Sequence, residues 1–254
     1  MTTLIVPQRF CGPPVSGNGG YSSGALAALV EHDCPDDHAD PWPTVEVSLL
    51  APPPLDVEIP VSVDGELIVA ATPTTRVATA RVSHEALVPV APVDAEEARV
   101  AAAAFPGWRS HAFPTCFVCG IDRAADDGLR IFPGPTSLGG EVFAATWTPH
   151  PSTSEDWHTY GEAHRLASVG VTWAALDCPG GWAGGFAVRP MVLARMTARL
   201  SGLPAVGEPH VVVGEHRGTE GRKTTTASSL YDEAGRLVGT SEQLWIAVDP
   251  ALFS

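Results

Sequence analysis

Residues 166–183, LASVGVTWAALDCPGGWA, constrain this chain more than any other stretch. Leu166, Val169, Gly170, Trp173 and Leu176 recur at helical spacing, and the other side carries Ala, Val and Thr rather than charge. A helix that is apolar nearly all round is buried on most of its sides. Its single formal charge, Asp177, falls near the C-terminal end, just before an expected break at Cys178-Pro179-Gly180-Gly181. A carboxylate there meets both desolvation and the negative end of the helix dipole. Burying it without a partner is costly. The rest of the chain reads as a wrapper around this helix and around a weaker copy near the N-terminus.

The copy is SGNGGYSSGALAALVEHD, residues 16–33, where glycines give a flexible entry and 25–30 a helical run. Its small residues would let a sheet approach closely. Period-2 alternation then predicts strands over 45–50, 55–63, 67–71 and 77–82, with Asp64-Gly65 as a hairpin turn. A connecting helix is predicted over 94–105, capped by Asp94. From Glu141 the pattern recurs. A strand over 141–148 leads to the 166–177 helix, then to strands over 191–200, 210–216, 222–231 and 236–248. The order strand, helix, four strands therefore occurs twice. The helix entries Asn18-Gly19-Gly20 and Ser168-Val169-Gly170 stand 150 residues apart.

These residues resemble a known family. The stretch GNGGYSSGALAALV resembles the helix entry of double-hotdog acyl-CoA thioesterases. Cys116-Phe-Val-Cys119-Gly, followed by Gly128-Leu129, resembles the lead-in of small phenylacetate-type hotdog thioesterases. In that type a His-Gly-Gly entry precedes a helical Asp by nine residues; here Ser168 stands at the His position and Asp177 at the Asp position. The closing GRKTTTASSLYDEAGRLVGTSEQLWIAV resembles the last hairpin of both groups. The resemblance implies an α+β double hotdog, two antiparallel sheets each wrapped around a central helix. Its units would span 1–90 and 141–254, joined by a segment over 91–140.

It further implies an acyl-CoA thioesterase acting in lipid metabolism, with Asp177 as general base and Gln243 orienting the attacking water. A hydroxyl on the strand after the helix completes the family's site. The nearest matching position is Val192, and Thr197 is the only hydroxyl on that strand. The helix entries Asn18, Gly19, Gly20 and Ser168, Val169, Gly170 would offer backbone N–H groups to the thioester oxygen. Position 27, nine residues after Asn18, is Ala, so one active site per chain is expected, with the first half as its structural partner. Gln243 shares its strand parity with Ser241 and Trp245.

A net charge of −14, with no basic run, argues against a nucleic-acid partner. No window of 18 uninterrupted apolar residues suggests a membrane span. The N-terminus lacks the pattern of a signal peptide and the five cysteines read as reduced thiols, so a cytoplasmic protein is expected. Cys116 and Cys119 supply two of the four ligands of a closed zinc site, and only chance folding of His111 or Cys34 could add to them. Neither metal nor other cofactor is therefore expected. The partner is an acyl-CoA substrate, whose phosphates the adjacent Arg222 and Lys223 could hold locally against the acidic whole. The resemblance also leaves room for a homo-oligomer of such chains. Two alternatives stand beside hydrolysis: a hotdog dehydratase or hydratase using His164, and an acyl-CoA or lipid binder without chemistry.

Overall fold

The computed structural model describes residues 2–30, 42–139, 141–154 and 165–253. The first half runs β1 (Thr3–Leu4), α1 (Gly19–Ala27), β2 (Val45–Leu49), β3 (Ile59–Asp64), β4 (Leu67–Ala71) and β5 (Arg76–Val82). The connecting segment contains α2 (Ala95–Ala103), whose N-cap Asp94 accepts from Glu97 N at 2.7 Å. It ends in the two-residue β6 (Gly134–Pro135). The second half runs β7 (Val142–Trp147), α3 (Val169–Ala175), α4 (Cys178–Ala183), β8 (Met191–Leu200), β9 (His210–Glu220), β10 (Lys223–Asp232) and β11 (Leu237–Ala247).

All eleven strands join one antiparallel sheet in the order β1-β3-β4-β5-β2-β8-β11-β10-β9-β7-β6. Within each half the order is the same: first, third, fourth, fifth, second strand. The duplication is therefore one of topology. The two sheets expected from the sequence are corrected to a single sheet, because the second strands of the halves pair edge to edge. Val45 faces Ala198, and Val47 faces Met196, across that seam. Each half would otherwise leave an unpaired row of backbone N–H and C=O groups at this edge.

The two central helices lie against each other as well as against the sheet. A Cβ at Gly20 would stand 2.5 Å from Asp177 Cβ and 2.8 Å from the Trp173 carbonyl oxygen. One at Gly24 would stand 2.5 Å from Trp173 Cβ and 2.9 Å from Gly170 Cα. Position 20 thus meets 173–177 while 24 meets 170–173, so α1 and α3 run antiparallel. Gly20 and Gly24, expected to give a flexible entry, are instead inside α1, where the partner helix leaves no room for a side chain.

The break expected at Cys178-Pro179-Gly180-Gly181 is corrected too: these residues form α4. Proline is tolerated in a helix's first turn, where its missing N–H has no partner to lose. The glycines let α4 lie directly on the sheet. A Cβ at Gly180 would stand 2.6 Å from Thr226 Oγ1, and one at Gly214 would strike the Pro179 backbone. No helix among the described residues is long and apolar enough to cross a membrane.

Candidate active site

The antiparallel packing decides where Asp177 ends up. It follows α3 and immediately precedes α4, and it is buried to 2 % exposure. Its side chain caps neither helix. Oδ2 instead accepts from Asn18 Nδ2 at 2.9 Å and from Gly20 N at 3.0 Å. The carboxylate at the negative end of α3 therefore sits on the positive end of α1, which offsets the dipole penalty expected from the sequence. Burial pushes the Asp177 carboxyl up to about 7, against the two hydrogen bonds. Oδ1 is buried with no hydrogen-bond partner.

Asn18 is itself fixed from two sides. As N-cap of α1 it accepts from Tyr21 N at 2.8 Å through Oδ1, which turns its amide N–H groups towards Asp177. That nitrogen also donates to Cys116 Sγ at 3.8 Å. The first half is thereby brought against the second: Asn18 and Gly20 hold the very acid that half lacks. Gly19 lies beside them on the cavity wall. Its N–H, the first of α1, has no acceptor among the described residues.

Asp177 and Asn18 line a cavity of about 270 Å³. Residues 50–53 between β2 and β3 close one side. Phe113, Trp182, Phe186 and Trp245 make an aromatic wall, and Met191, Val192, Leu193 and Ala194 of β8 supply an aliphatic one. First half, connecting segment and second half all contribute, so the pocket exists only in the joined molecule. An apolar chamber with few convergent polar groups is the usual form of a small-molecule site.

Other residues singled out from the sequence lie elsewhere. Gln243 is buried with Ser241 and Trp245 on the face that α4 covers, and it does not line the cavity. Its Nε2 donates to Leu176 O and Ser241 Oγ, both at 2.7 Å, and its Oε1 accepts from Thr226 Oγ1 at 2.6 Å. Thr197 is buried far along β8, paired with Glu242 and Glu46 at the seam, and is also outside the cavity. Ser168, Val169 and Gly170 stand at the opposite end of α3, where Ser168 Oγ accepts from Val171 N at 3.2 Å. Arg222 is exposed and donates to Ala247 O at 3.0 and 3.2 Å. Lys223 is exposed opposite Ile246, which lines the cavity. His164 lies outside the described residues.

The thiols were not legible as a group. Cys178, the first residue of α4, is brought against the Cys116/Cys119 turn, and all three line the cavity. Their sulfurs lie within 4.8 Å of one another. The ligand count of two on which the expected absence of metal rested is corrected to three. Hydrogen bonds from Cys119 and Cys178 hold the Cys116 thiol well below its usual range, while burial pushes Cys119 up. Beside them His111 is held neutral by burial. Its Nδ1 accepts from Phe113 N at 3.1 Å, which leaves Nε2 to donate to Cys119 O at 3.1 Å.

No protein-family model and no curated protein matches the sequence. Solved structures do. A tesB protein of Mycobacterium avium subspecies paratuberculosis superposes with a TM-score of 0.57 at 11 % identity, covering 94 % of this chain and 90 % of that one. A hot dog fold protein from Alicyclobacillus acidocaldarius gives 0.55 at 14 % identity, with 96 % and 92 % covered. A candidate thioesterase II from Thermobifida fusca gives 0.55 at 13 % identity, with 97 % and 92 % covered. Over nearly its whole length, this chain has the hotdog fold of thioesterase-like proteins.

Proposed function

We propose that the protein hydrolyses the thioester of an acyl-CoA, with Asp177 as general base. One observation carries the reading: a buried carboxylate, clamped through one oxygen by Asn18 and Gly20 and unpartnered at the other, belongs to a residue that lines an apolar cavity. In this reading Asp177 takes a proton from water as the water oxygen bonds to the acyl carbon. The Gly19 N–H receives the developing oxyanion. Collapse then breaks the C–S bond, and the proton passes to the departing thiolate. Gln243 orients no water here. It holds the Leu176 carbonyl, and so the turn into Asp177, from beneath. The units over 1–90 and 141–254 share a single site, which the 91–140 segment helps to wall. The fold likeness to the tesB protein supports this reaction class by analogy alone.

A second reading has its own support. All four β8 residues on the cavity wall are apolar, and neither Thr197 nor Gln243 reaches it. A pocket of that kind suits an acyl-CoA binder without turnover. Thiol release measured across acyl-CoAs of varied chain length separates the two. Release that depends on Asp177 supports hydrolysis, and tight binding without release selects the binder.

A further inference from the structure

Neither reading gives the three thiols a role, yet their arrangement is specific. Cys178 Sγ lies 3.8 Å from Cys116 Sγ and 3.4 Å from Cys119 Sγ. Sulfurs bound at about 2.3 Å to a tetrahedral zinc ion stand about 3.8 Å apart. Two of the three separations are close to that spacing, and the third is within 4.8 Å.

The turn that presents two of them is closed tightly by its own backbone. Gly120 N donates to Cys116 O at 2.8 Å, and a Cβ at Gly120 would stand 2.6 Å from the Pro114 carbonyl oxygen. The turn therefore requires glycine directly after Cys119. Asn18 Nδ2 donates to the Cys116 sulfur at 3.8 Å. Such a contact strengthens when the acceptor is an anion. Burying such charge is costly unless a cation compensates it. Among the described residues, no Lys or Arg side chain is bonded to any of the three sulfurs.

We propose that Cys116, Cys119 and Cys178 together bind one zinc ion, whose fourth position opens on the cavity. A thiolate set selects a borderline or soft metal and disfavours magnesium and calcium, which take oxygen. His111 does not close the site, since both its ring nitrogens are engaged. The Asp177 carboxylate is outside the cluster of ligand atoms and is held by Asn18 and Gly20. Three protein ligands with an exchangeable fourth mark reactive zinc sites rather than closed structural ones. This inference goes beyond the hydrolytic reading and does not depend on it.

The test uses Co²⁺ as a spectroscopic probe for zinc. Reduced protein, stripped of metal by a chelator under anaerobic conditions, is titrated with Co²⁺. The expected result is strong thiolate-to-cobalt charge-transfer absorption with the visible bands of a tetrahedral site, complete at one equivalent and abolished by one equivalent of Zn²⁺. Cys178→Ser should weaken binding at least about tenfold, whereas Cys11→Ser should not change it. Addition of 2-mercaptoethanol should shift the visible bands, because an open position accepts a thiol. Wild-type protein without thiolate-to-cobalt absorption, or with a disulfide between any two of the three when isolated anaerobically, overturns the site. Bands that ignore the added thiol overturn the open position. These readings involve no turnover, so hydrolysis stands or falls separately.

Discussion

The two ends of the α1/α3 helix pair are built on one plan and differ in almost everything chemical. At one end Asn18 caps α1 and Asp177 lies just past α3; at the other Ser168 caps α3 and α1 finishes in Ala27. Both caps accept from the N–H three residues on, at 2.8 Å for Asn18 and 3.2 Å for Ser168. The Asn18 amide has donors to spare, and it spends them on Asp177 and Cys116. At the Ser168 end the residue that closes α1 is an alanine, which offers no acceptor in its side chain. That end closes over Trp42, Val45, Trp173 and Leu200 as a pit of about 20 Å³, against about 270 Å³ at the other. The same frame is thus closed by packing at one end and opens on the cavity of the proposed site at the other.

The largest effect expected is at the acid. Asp177→Asn should lower kcat for acyl-CoA hydrolysis by about 10² to 10⁴, the usual contribution of a positioned base. The amide keeps an oxygen for Asn18 and Gly20, while its NH₂ replaces the unpartnered Oδ1, so circular dichroism should be unchanged. Wild-type turnover in a folded variant would reduce the two ends to variations in packing and remove the hydrolytic mechanism.

Next come the caps, compared directly. Asn18→Ala should lower kcat by about 10- to 100-fold, corresponding to the 1.5–3 kcal/mol of a hydrogen bond to a charged group. Ser168→Ala should leave turnover alone. Each loses a cap contributing about 1 kcal/mol, so their melting temperatures should fall alike. Equal kinetic effects would show that the ends are not chemically distinct.

Stability sharpens the contrast at the paired glycines. A Cβ at Gly20 meets Asp177 Cβ at 2.5 Å and the backbone of residues 173 and 174 within 2.9 Å, where little can yield. At Gly170 the nearest atoms are of the Tyr21 ring, at 3.2 and 3.4 Å. Gly20→Ala should therefore cost about 1–3 kcal/mol. Gly170→Ala should cost much less, because alanine's helix propensity contributes up to about 1 kcal/mol in the opposite direction. Thermal melts of both variants decide it, and similar losses would mean the helices are equally tight at the two positions.

Local pattern accounted for most of the frame. The recurring pattern located β8 to the residue, and turn chemistry located the Asp64-Gly65 hairpin, where Gly65 adopts φ of +63°. Asp94 was legible as a cap because capping needs only residues three apart. Helix α4 was hidden because its Pro-Gly-Gly content signals a break; only the sheet beneath it shows why glycine is required. The site was half legible. A lone charge on an apolar helix stands out at Asp177. Its clamp, however, joins residues 159 apart, and the thiol trio joins Cys178 to partners 62 and 59 residues away. No spacing rule spans such distances, since they are set by how two helices cross. The inward face of Gln243 was open for the same reason: parity groups it with Ser241 and Trp245, but only α4 decides that this face is dry.

The smallest effect expected lies at the rim, where the structure separates two neighbours that the sequence treats as a pair. Directly opposed residues on antiparallel strands project to the same side of a sheet. Lys223 opposes Ile246 of the cavity wall, and its ammonium has no ion-pair partner among the described residues. Arg222 binds the Ala247 carbonyl through two of its nitrogens. If coenzyme A phosphates rest at this rim, Lys223 is the free cation beside the pocket and Arg222 secures the strand end. Lys223→Glu should then raise KM for acyl-CoA, and an exposed charge contact of about 1 kcal/mol corresponds to about a fivefold change. Turnover at saturation should hold, because the contact binds the carrier equally in ground and transition states. The shift should shrink as salt rises and screens the contact. Arg222→Gln, which keeps a donor for Ala247, should change KM less. Steady-state kinetics at low and high ionic strength distinguish the two. An unchanged KM for Lys223→Glu at low salt would remove the phosphate anchor from this edge, leaving the second half no specialised carrier contact here beyond the cavity wall.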